Sequence, residues 1–367
     1  MSRMTLTLKS VLWLMVVAVC VPVISSAALA QYTKHNLVTT AATSAPHHDG
    51  NLVNAWGLSF LPTSPFWVSD NGTGKTTIYD PTGGTVRPPV NIPSATGKGL
   101  GTPTGQVANP DSSIFMISKK TATGTKTGSA LFIFATLDGT ISGWNPNVDP
   151  NNAVIARNRN AEGVMFTGLA IVTVNSSPGG GPGPYASTSQ TFLYAADAAH
   201  NRVLVFDSTF KIVHTITDPH TPAGLSVYGI QAINGKVYIT LGAFGSTAGA
   251  VDVYDPATNH LSRLITNGPG GPLNEPWGLA IAPSDFGVFS NDLLVGNVGN
   301  GWINAFNPTT GKFLGRMKNK LGQSVFIPGL WALEFGGGTA ANGQKNQLFF
   351  TGGPNGYLAG VFGVIEP

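Results

Sequence analysis

Carboxylate and amide side chains are the groups in this 367-residue chain that could do chemistry, and they stand in short polar segments beside apolar runs. Oxygens of this kind ligate divalent cations such as Ca²⁺ or Zn²⁺, and paired carboxylates can act as general acid and base. Asp70, Asp138 and Asp197 each follow an apolar run and are therefore candidate metal ligands.

A wider set of candidate ligand-binding residues lies just before, or at the end of, such runs: Asn54, Trp56, Asp70, Asn71, Asp138, Glu162, Asp197, Asn274, Glu275, Trp277, Asn297 and Trp331. For the polar members the alternative is local, because Asp and Asn at turns cap backbone N–H groups. The three tryptophans could form a stacking wall for a sugar or another flat ligand, or they could pack between strands.

Internal repeats provide the framework for these residues. Trp56-Gly57-Leu58 recurs as Trp277-Gly278-Leu279, with looser copies at residues 103–105, 167–169, 228–230 and 330–332. Each copy is followed by an apolar run, a polar turn and an alternating segment such as Val251-Asp252-Val253-Tyr254-Asp255. Alternation of this kind is typical of half-buried strands.

Six units of about 50 residues, each with three or four short strands, predict an all-β fold, a six-bladed β-propeller. The sixth unit lacks an outer strand, and residues 32–40 could supply one. Pairing both termini in one blade would close the ring and remove an exposed edge. In a propeller, inner-strand entrances and the turns between second and third strands share one face, so the candidate residues should line a central funnel there.

Residues 1–30 have the pattern of a signal peptide, with Arg3 and Lys9 before an apolar stretch and Ala28-Leu29-Ala30 as the cleavage site. The stretch is too short to span a membrane. We therefore expect one propeller domain at 31–367, in the periplasm or secreted, with no membrane span after cleavage.

Composition excludes several classes of function. Cys20 is the one cysteine and lies in the predicted signal peptide, which leaves no disulfide, thiolate site or cysteine nucleophile after cleavage. Without Arg3 and Lys9 the net charge falls from +3 to +1, and no basic cluster remains. Nucleic acid is thus not an expected partner. We expect a monomer.

Six segments of the chain carry a resemblance to a known protein family: residues 51–57, 66–74, 134–145, 274–280, 292–297 and 329–333. In them the chain resembles an exported bacterial β-propeller family of conserved hypothetical proteins, first noted in organisms with PEP-CTERM sorting. That family has no established activity, so the resemblance implies the architecture and no catalytic residues. Residues 365–367 show no sorting helix, and residues 194–207 loosely resemble an NHL repeat.

Three classes of function remain open from the sequence. A binding or scaffold propeller would present the funnel face to an exported protein or a glycan and needs no catalytic group. A metal-dependent hydrolase, similar to a lactonase, would use the funnel carboxylates with a divalent cation. A lyase would need a histidine near the funnel, for which His200 is the candidate. The binding module is the prediction, and the hydrolase is its alternative.

Overall fold

The computed structural model describes residue 1 and residues 32–40, 45–175 and 189–367. Residues 2–30 of the predicted signal peptide lie outside this part of the chain. Six sheets of four or five strands stand around a central axis, so the predicted six-bladed β-propeller is confirmed. Within the described part, helix is limited to three single 3₁₀ turns at Asn160–Glu162, Ala198–His200 and Gly287–Phe289.

The strands follow one another around the ring. The start of the described chain supplies β1 (Thr33–Thr39) and β2 (His47–His48) to the last blade. Blade 1 has β3 (Ala55–Ser59), β4 (Phe66–Asp70), β5 (Lys75–Tyr79) and β6 (Val90–Asn91). Blade 2 has β7 (Pro103–Ala108), the hairpin β8 (Met116–Thr121) and β9 (Gly124–Ser129), then β10 (Phe132–Thr136), β11 (Thr140–Trp144) and β12 (Val154–Asn158). Blade 3 has β13 (Phe166–Val174), β14 (Gln190–Asp197), β15 (Arg202–Phe206) and β16 (Ile212–Ile216).

The second half repeats this arrangement. Blade 4 has β17 (Ser226–Ile233), β18 (Lys236–Gly242), β19 (Gly249–Asp255) and β20 (His260–Asn267). Blade 5 has β21 (Pro276–Ile281), β22 (Leu293–Asn297), β23 (Ile303–Phe306) and β24 (Phe313–Arg316). Blade 6 has β25 (Leu330–Phe335), β26 (Leu348–Gly352) and β27 (Val361–Glu366).

Ring closure joins the two ends of the described chain. Strand β1 pairs antiparallel with β27, from Thr33 opposite Glu366 to Thr39 opposite Val361. The Tyr32 hydroxyl donates a hydrogen bond of 2.8 Å to the Phe286 carbonyl of blade 5. The predicted closure by an N-terminal strand is confirmed.

The hydrophobic core is divided among the interfaces between blades. The described residues form six buried apolar clusters, of which five span a pair of neighbouring blades and one joins blades 6 and 1 together with Trp277 and Val298 of blade 5. In one of them Tyr194 of blade 3 packs near Tyr254 of blade 4, with ring centroids 6.1 Å apart. Because each blade buries both faces against its neighbours, stability depends on the complete ring.

Glycines allow the inner strands to approach one another at the axis. A Cβ on Gly105 would lie 2.2 Å from the Leu169 nitrogen, and one on Gly229 would lie 2.2 Å from the Trp277 carbonyl oxygen. Gly57 and Gly278 occupy matching positions, where a Cβ would lie 2.5 and 2.4 Å from carbonyl oxygens, and at Gly168 the nearest atom, 2.9 Å away, belongs to the Ile230 side chain. The glycine of the repeated Trp-Gly-Leu segment therefore narrows the central channel.

The hairpin β8–β9 is an insertion that the repeat pattern does not predict. It forms a separate two-stranded sheet between the first and second strands of blade 2.

No helix in the described ranges is long and apolar enough to cross a membrane.

Candidate functional site at the strand-entrance face

Three tryptophans fill the axis on the face where the inner strands begin, which we call the entrance face. The rings of Trp56 and Trp331 stack with centroids 3.6 Å apart, and Trp277 meets them edge-on at 6.2 and 5.9 Å. The Trp277 Nε1–H donates to the Thr167 carbonyl at 3.0 Å, which ties blade 5 to blade 3. At 3–7 % exposure the rings form a plug, and their faces are occupied by one another.

The backbone before each tryptophan explains this convergence. Asn54, Glu275 and Gly329 stand two residues ahead of the tryptophans in blades 1, 5 and 6, and all three have positive φ, at 49°, 50° and 58°. A left-handed residue turns the chain sharply into the inner strand. The other three blades start with Thr104, Thr167 or Tyr228 in place of tryptophan.

An amide network connects this plug to blade 1. Asn54 accepts a 3.0 Å hydrogen bond from the Trp331 Nε1–H, and it donates one of 3.1 Å to the Asn71 side-chain oxygen. Asn71 in turn donates to the Pro103 carbonyl at 3.2 Å. The structure therefore brings Asn54, Asn71 and the tryptophans together, with the amides holding the plug in position.

Glu275 lies beside the plug with one unpartnered oxygen. The residue is 5 % exposed, and its Oε1 accepts the Gly245 N–H at 2.7 Å. Its Oε2 is buried and has no hydrogen-bond partner in the described chain. Burial raises the pKa of this carboxyl group, although the Gly245 hydrogen bond lowers it. Burial, and next the Glu275 charge, raise the pKa of Tyr228 and Tyr357.

The carboxylates of blades 2 and 3, Asp138 and Asp197, each form hydrogen bonds with different neighbouring residues. The Asp138 Oδ2 accepts the Ala95 N–H at 2.6 Å. Fully buried Asp197 accepts hydrogen bonds of 2.9 Å from Arg202 Nε and from His200 Nδ1, and its other oxygen accepts a backbone amide. Both side chains therefore stabilise turns and loops of their own region.

Asp70 is buried in blade 1, away from solvent. It is 0 % exposed, and neither carboxyl oxygen makes a hydrogen bond to a described residue. Burial raises its pKa well above the usual range, the neighbouring Thr77 partly offsets that rise, and the Asp49 charge adds to it. Where the chain is described, no three His, Cys, Asp or Glu side chains are grouped to hold a metal ion. Asp70, Asp138 and Asp197 are thus not assembled into a common site.

The remaining predicted residues have local partners. Glu162 is exposed and forms an ion pair with Arg159. Asn297 is fully buried and donates to the Pro272 carbonyl at 2.9 Å, whereas Asn274 accepts a turn amide with its backbone carbonyl. These contacts stabilise turns at the entrance face, whereas one side-chain oxygen each of Asp138 and Asn297 is buried with no hydrogen-bond partner among the described residues.

Exposed apolar side chains on the entrance face are a feature that the sequence pattern does not reveal. Phe244 and Leu358 lie in loops between second and third strands and are 79 % and 81 % exposed. Leu100 and Met165, which precede inner strands, are 44 % and 37 % exposed. Together these four residues define an apolar rim around the plug. Only their position in turns signals exposure, and that signal is weak for an apolar residue.

Glu334 is a second residue that the repeats do not single out. It lies near the end of inner strand β25 and is the one charged residue in the six inner strands. The Gln231 Nε2–H donates to its Oε2 at 3.0 Å across the channel. Burial raises its pKa from 4.5 to about 7, and the Gln231 bond opposes that rise. A carboxylate in an otherwise uncharged inner strand was the available sequence signal.

Comparison with known proteins gives relatives of unknown activity. No family model matches the chain. An uncharacterized protein of Acanthamoeba polyphaga mimivirus is 26 % identical over 347 residues, covering 90 % of this chain and 78 % of the relative. A second uncharacterized protein of the same virus is 29 % identical over 245 residues, covering 62 % of this chain and 41 % of its own length. A third is 26 % identical over 320 residues, covering 83 % and 79 %. The bacterial origin expected from the sequence stays an expectation.

Solved structures share the fold. The PQQ-bound aldose sugar dehydrogenase of Streptomyces coelicolor aligns with a TM-score of 0.51 at 13 % identity, covering 92 % of this chain and 99 % of that one. A streptogramin B lyase aligns with a TM-score of 0.50 at 10 % identity, covering 91 % and 97 %. At such identities the likeness extends to the propeller architecture alone.

Proposed function

We propose that this protein is an exported binding module that recognises a protein partner through the apolar rim of its entrance face. The observation that carries the proposal is the exposure of Phe244 and Leu358, each about four-fifths open to solvent on the same face. Contiguous apolar patches on a folded surface mark interaction sites, and Tyr357, next to Leu358 in the chain, has its ring centroid 6.4 Å from that of Phe244. Buried at an interface, large apolar side chains are the kind of anchor that supplies most of the binding energy.

The closed axis favours a protein over a glycan. A sugar stacks on an open aromatic face, but the plug tryptophans are 3–7 % exposed and their faces are covered. A protein surface needs no deep pocket, and a rim with a closed centre suits a broad interface. Phe244 and Tyr357, with ring centroids 6.4 Å apart, would extend that apolar contact toward the axis.

Binding is also better supported than hydrolysis. A metal-dependent hydrolase needs carboxylates that converge on one point. Asp138 and Asp197 each bind neighbouring groups, and Asp70 is fully buried.

Export belongs to the same proposal and rests on the predicted cleavage after Ala30. The intact mass of protein recovered outside the cytoplasm tests it, and an uncleaved chain would contradict it.

Paired capture tests the proposed face. Wild-type protein starting at residue 31 is immobilised beside the double variant Phe244→Ser/Leu358→Ser and the control Val288→Ser. Val288 is 54 % exposed in the loop after β21, on the opposite face. We expect wild type and the control to retain one common set of proteins from extracytoplasmic extract, and the double variant to lose it. Equal capture by all three would contradict the proposal.

A further inference from the structure

The opposite end of the channel, where the inner strands finish, is open. Two recesses lie there. The larger, of about 480 Å³, lies beside Ile233, Ala280 and Phe335. The smaller, of about 320 Å³, lies beside Phe60, Val107 and Ile171. Gln231, Ala232 and Glu334 line both, so the two recesses form one mouth, which we call the exit mouth.

The channel above the exit mouth is nearly filled. At the level of the glycines it leaves about 10 Å³, close to the minimum for one water molecule. The tryptophan plug lies beyond it. A ligand in the exit mouth therefore enters and leaves from the exit side, independently of any partner on the entrance face.

We propose that the exit mouth binds a small amphipathic molecule, whose apolar part contacts the aliphatic and aromatic lining and one of whose hydrogen-bonding groups is placed across the Gln231–Glu334 pair. By residue type the lining is mostly Ala, Val, Ile, Leu and Phe, but polar atoms make up nearly half of the surface that it exposes, so a ligand there meets apolar and hydrogen-bonding groups together. The volumes fall within the range of small-molecule sites, roughly 300–1,000 Å³. The central pair fixes orientation, since Gln231 uses one N–H for Glu334 and retains its amide oxygen for the ligand.

Glu334 links this site to pH. With a pKa of about 7 it is uncharged in mildly acidic solution and ionised in mildly basic solution. Lys345, exposed at the rim of the larger recess, is the other charged residue among those that line the mouth. A neutral apolar ligand removes further water from Glu334 and so raises its pKa again. Binding must then weaken as pH rises through the pKa.

The neutral fluorophore N-phenyl-1-naphthylamine is a suitable probe, since its one N–H sits on an apolar frame. We expect saturable binding to one site on the protein that starts at residue 31. Between about pH 5.5 and about pH 8.5 the affinity should fall about tenfold, which corresponds to a further pKa shift of about one unit. In Glu334→Gln the affinity should not change with pH, because the side chain no longer ionises.

Steric variants locate the probe. Ala232→Trp should reduce affinity by at least about tenfold, because Ala232 lies where the two recesses join. Ala257→Trp, on an exposed turn, is the matched control and should bind as wild type does. Thermal unfolding establishes that each variant is folded. Unsaturable binding, or the same pH dependence in Glu334→Gln as in wild type, would overturn the proposal even if Ala232→Trp failed to fold.

Discussion

At the scale of single residues, Glu334 carries a carboxyl group whose ionisation opposes folding. Its pKa is about 7 in the folded chain, against 4.5 when the group is free in water. Between these two values the folded state retains a proton that the unfolded state has lost. Stability contributed by this residue therefore falls as pH rises from about 4.5 to about 7, and it stays reduced above that range.

Glu334→Gln should remove this dependence. At about pH 8 the variant should be more stable than wild type, by at most about 3 kcal/mol before screening at the open mouth is counted. Below about pH 4.5 the two should be nearly equal, because both side chains are then uncharged. Urea unfolding at the two pH values measures the difference. A variant less stable than wild type at the higher pH would show that the ionised carboxylate is stabilised in place.

The three tryptophans show which features of a residue the sequence predicts and which depend on the folded structure. The repeated Trp-Gly-Leu segment correctly indicates that Trp56, Trp277 and Trp331 occupy equivalent places. Their role as a plug depends on distances across the axis, which a linear pattern does not contain. The same limit applies to the polar candidates. The sequence predicts that Asp138 lies at a turn, but its hydrogen bond from the Ala95 N–H depends on the position of the loop before β7 in space.

At the scale of elements, the glycine in five of the six inner strands sets how closely the blades approach, and Ala332 takes its place in β25. Gly229→Ala would place a Cβ 2.2 Å from the Trp277 carbonyl oxygen, which is backbone, and 2.9 Å from the Thr240 hydroxyl oxygen. We expect a loss of about 3 kcal/mol or more from such overpacking.

Gly268→Ala is the matched control for that substitution. A Cβ at Gly268 meets no atom within 4 Å, so its unfolding midpoint in urea should stay close to wild type. Similar midpoints for both variants would mean that the inner strands move apart easily, and the narrow channel would then not be a fixed feature of the fold.

Strands in which apolar and polar residues alternate regularly were predictable from the sequence, whereas insertions between them were not. The alternating third strands, such as Val251-Asp252-Val253-Tyr254-Asp255, appear as β19. The hairpin β8–β9 interrupts blade 2, and its exposed Lys and Thr residues bury little apolar surface that would reveal its pairing. Periodicity predicts strands that form the core and is a weaker guide to those that lie on it.

At the scale of the whole molecule, closure by β1 makes the first described residues essential to the ring. A chain starting at residue 45 lacks β1 and the Tyr32 hydroxyl that bonds to Phe286, and it leaves the edge of β27 unpaired. It should aggregate or unfold more than about 10 °C below a chain starting at residue 31. Thermal unfolding followed by circular dichroism measures this, and equal transitions would contradict the closure mechanism.

The two ends of the channel give the molecule two separate surfaces. The entrance face is closed by the tryptophan plug and carries the apolar rim, whereas the exit mouth is recessed and contains Glu334. The inner strands join them through packed backbone at the glycines. Partner recognition at one face and small-molecule binding at the other can therefore be disrupted independently.

Site-specific photo-cross-linking in the producing cells tests the central claim, that a protein docks on the apolar rim. Phe244 is replaced by benzoylphenylalanine in one strain and Val288 in another, and both are irradiated. The account predicts a discrete cross-linked protein from position 244 and none from position 288. Cross-links to the same protein from both positions, or from position 288 alone, would contradict it.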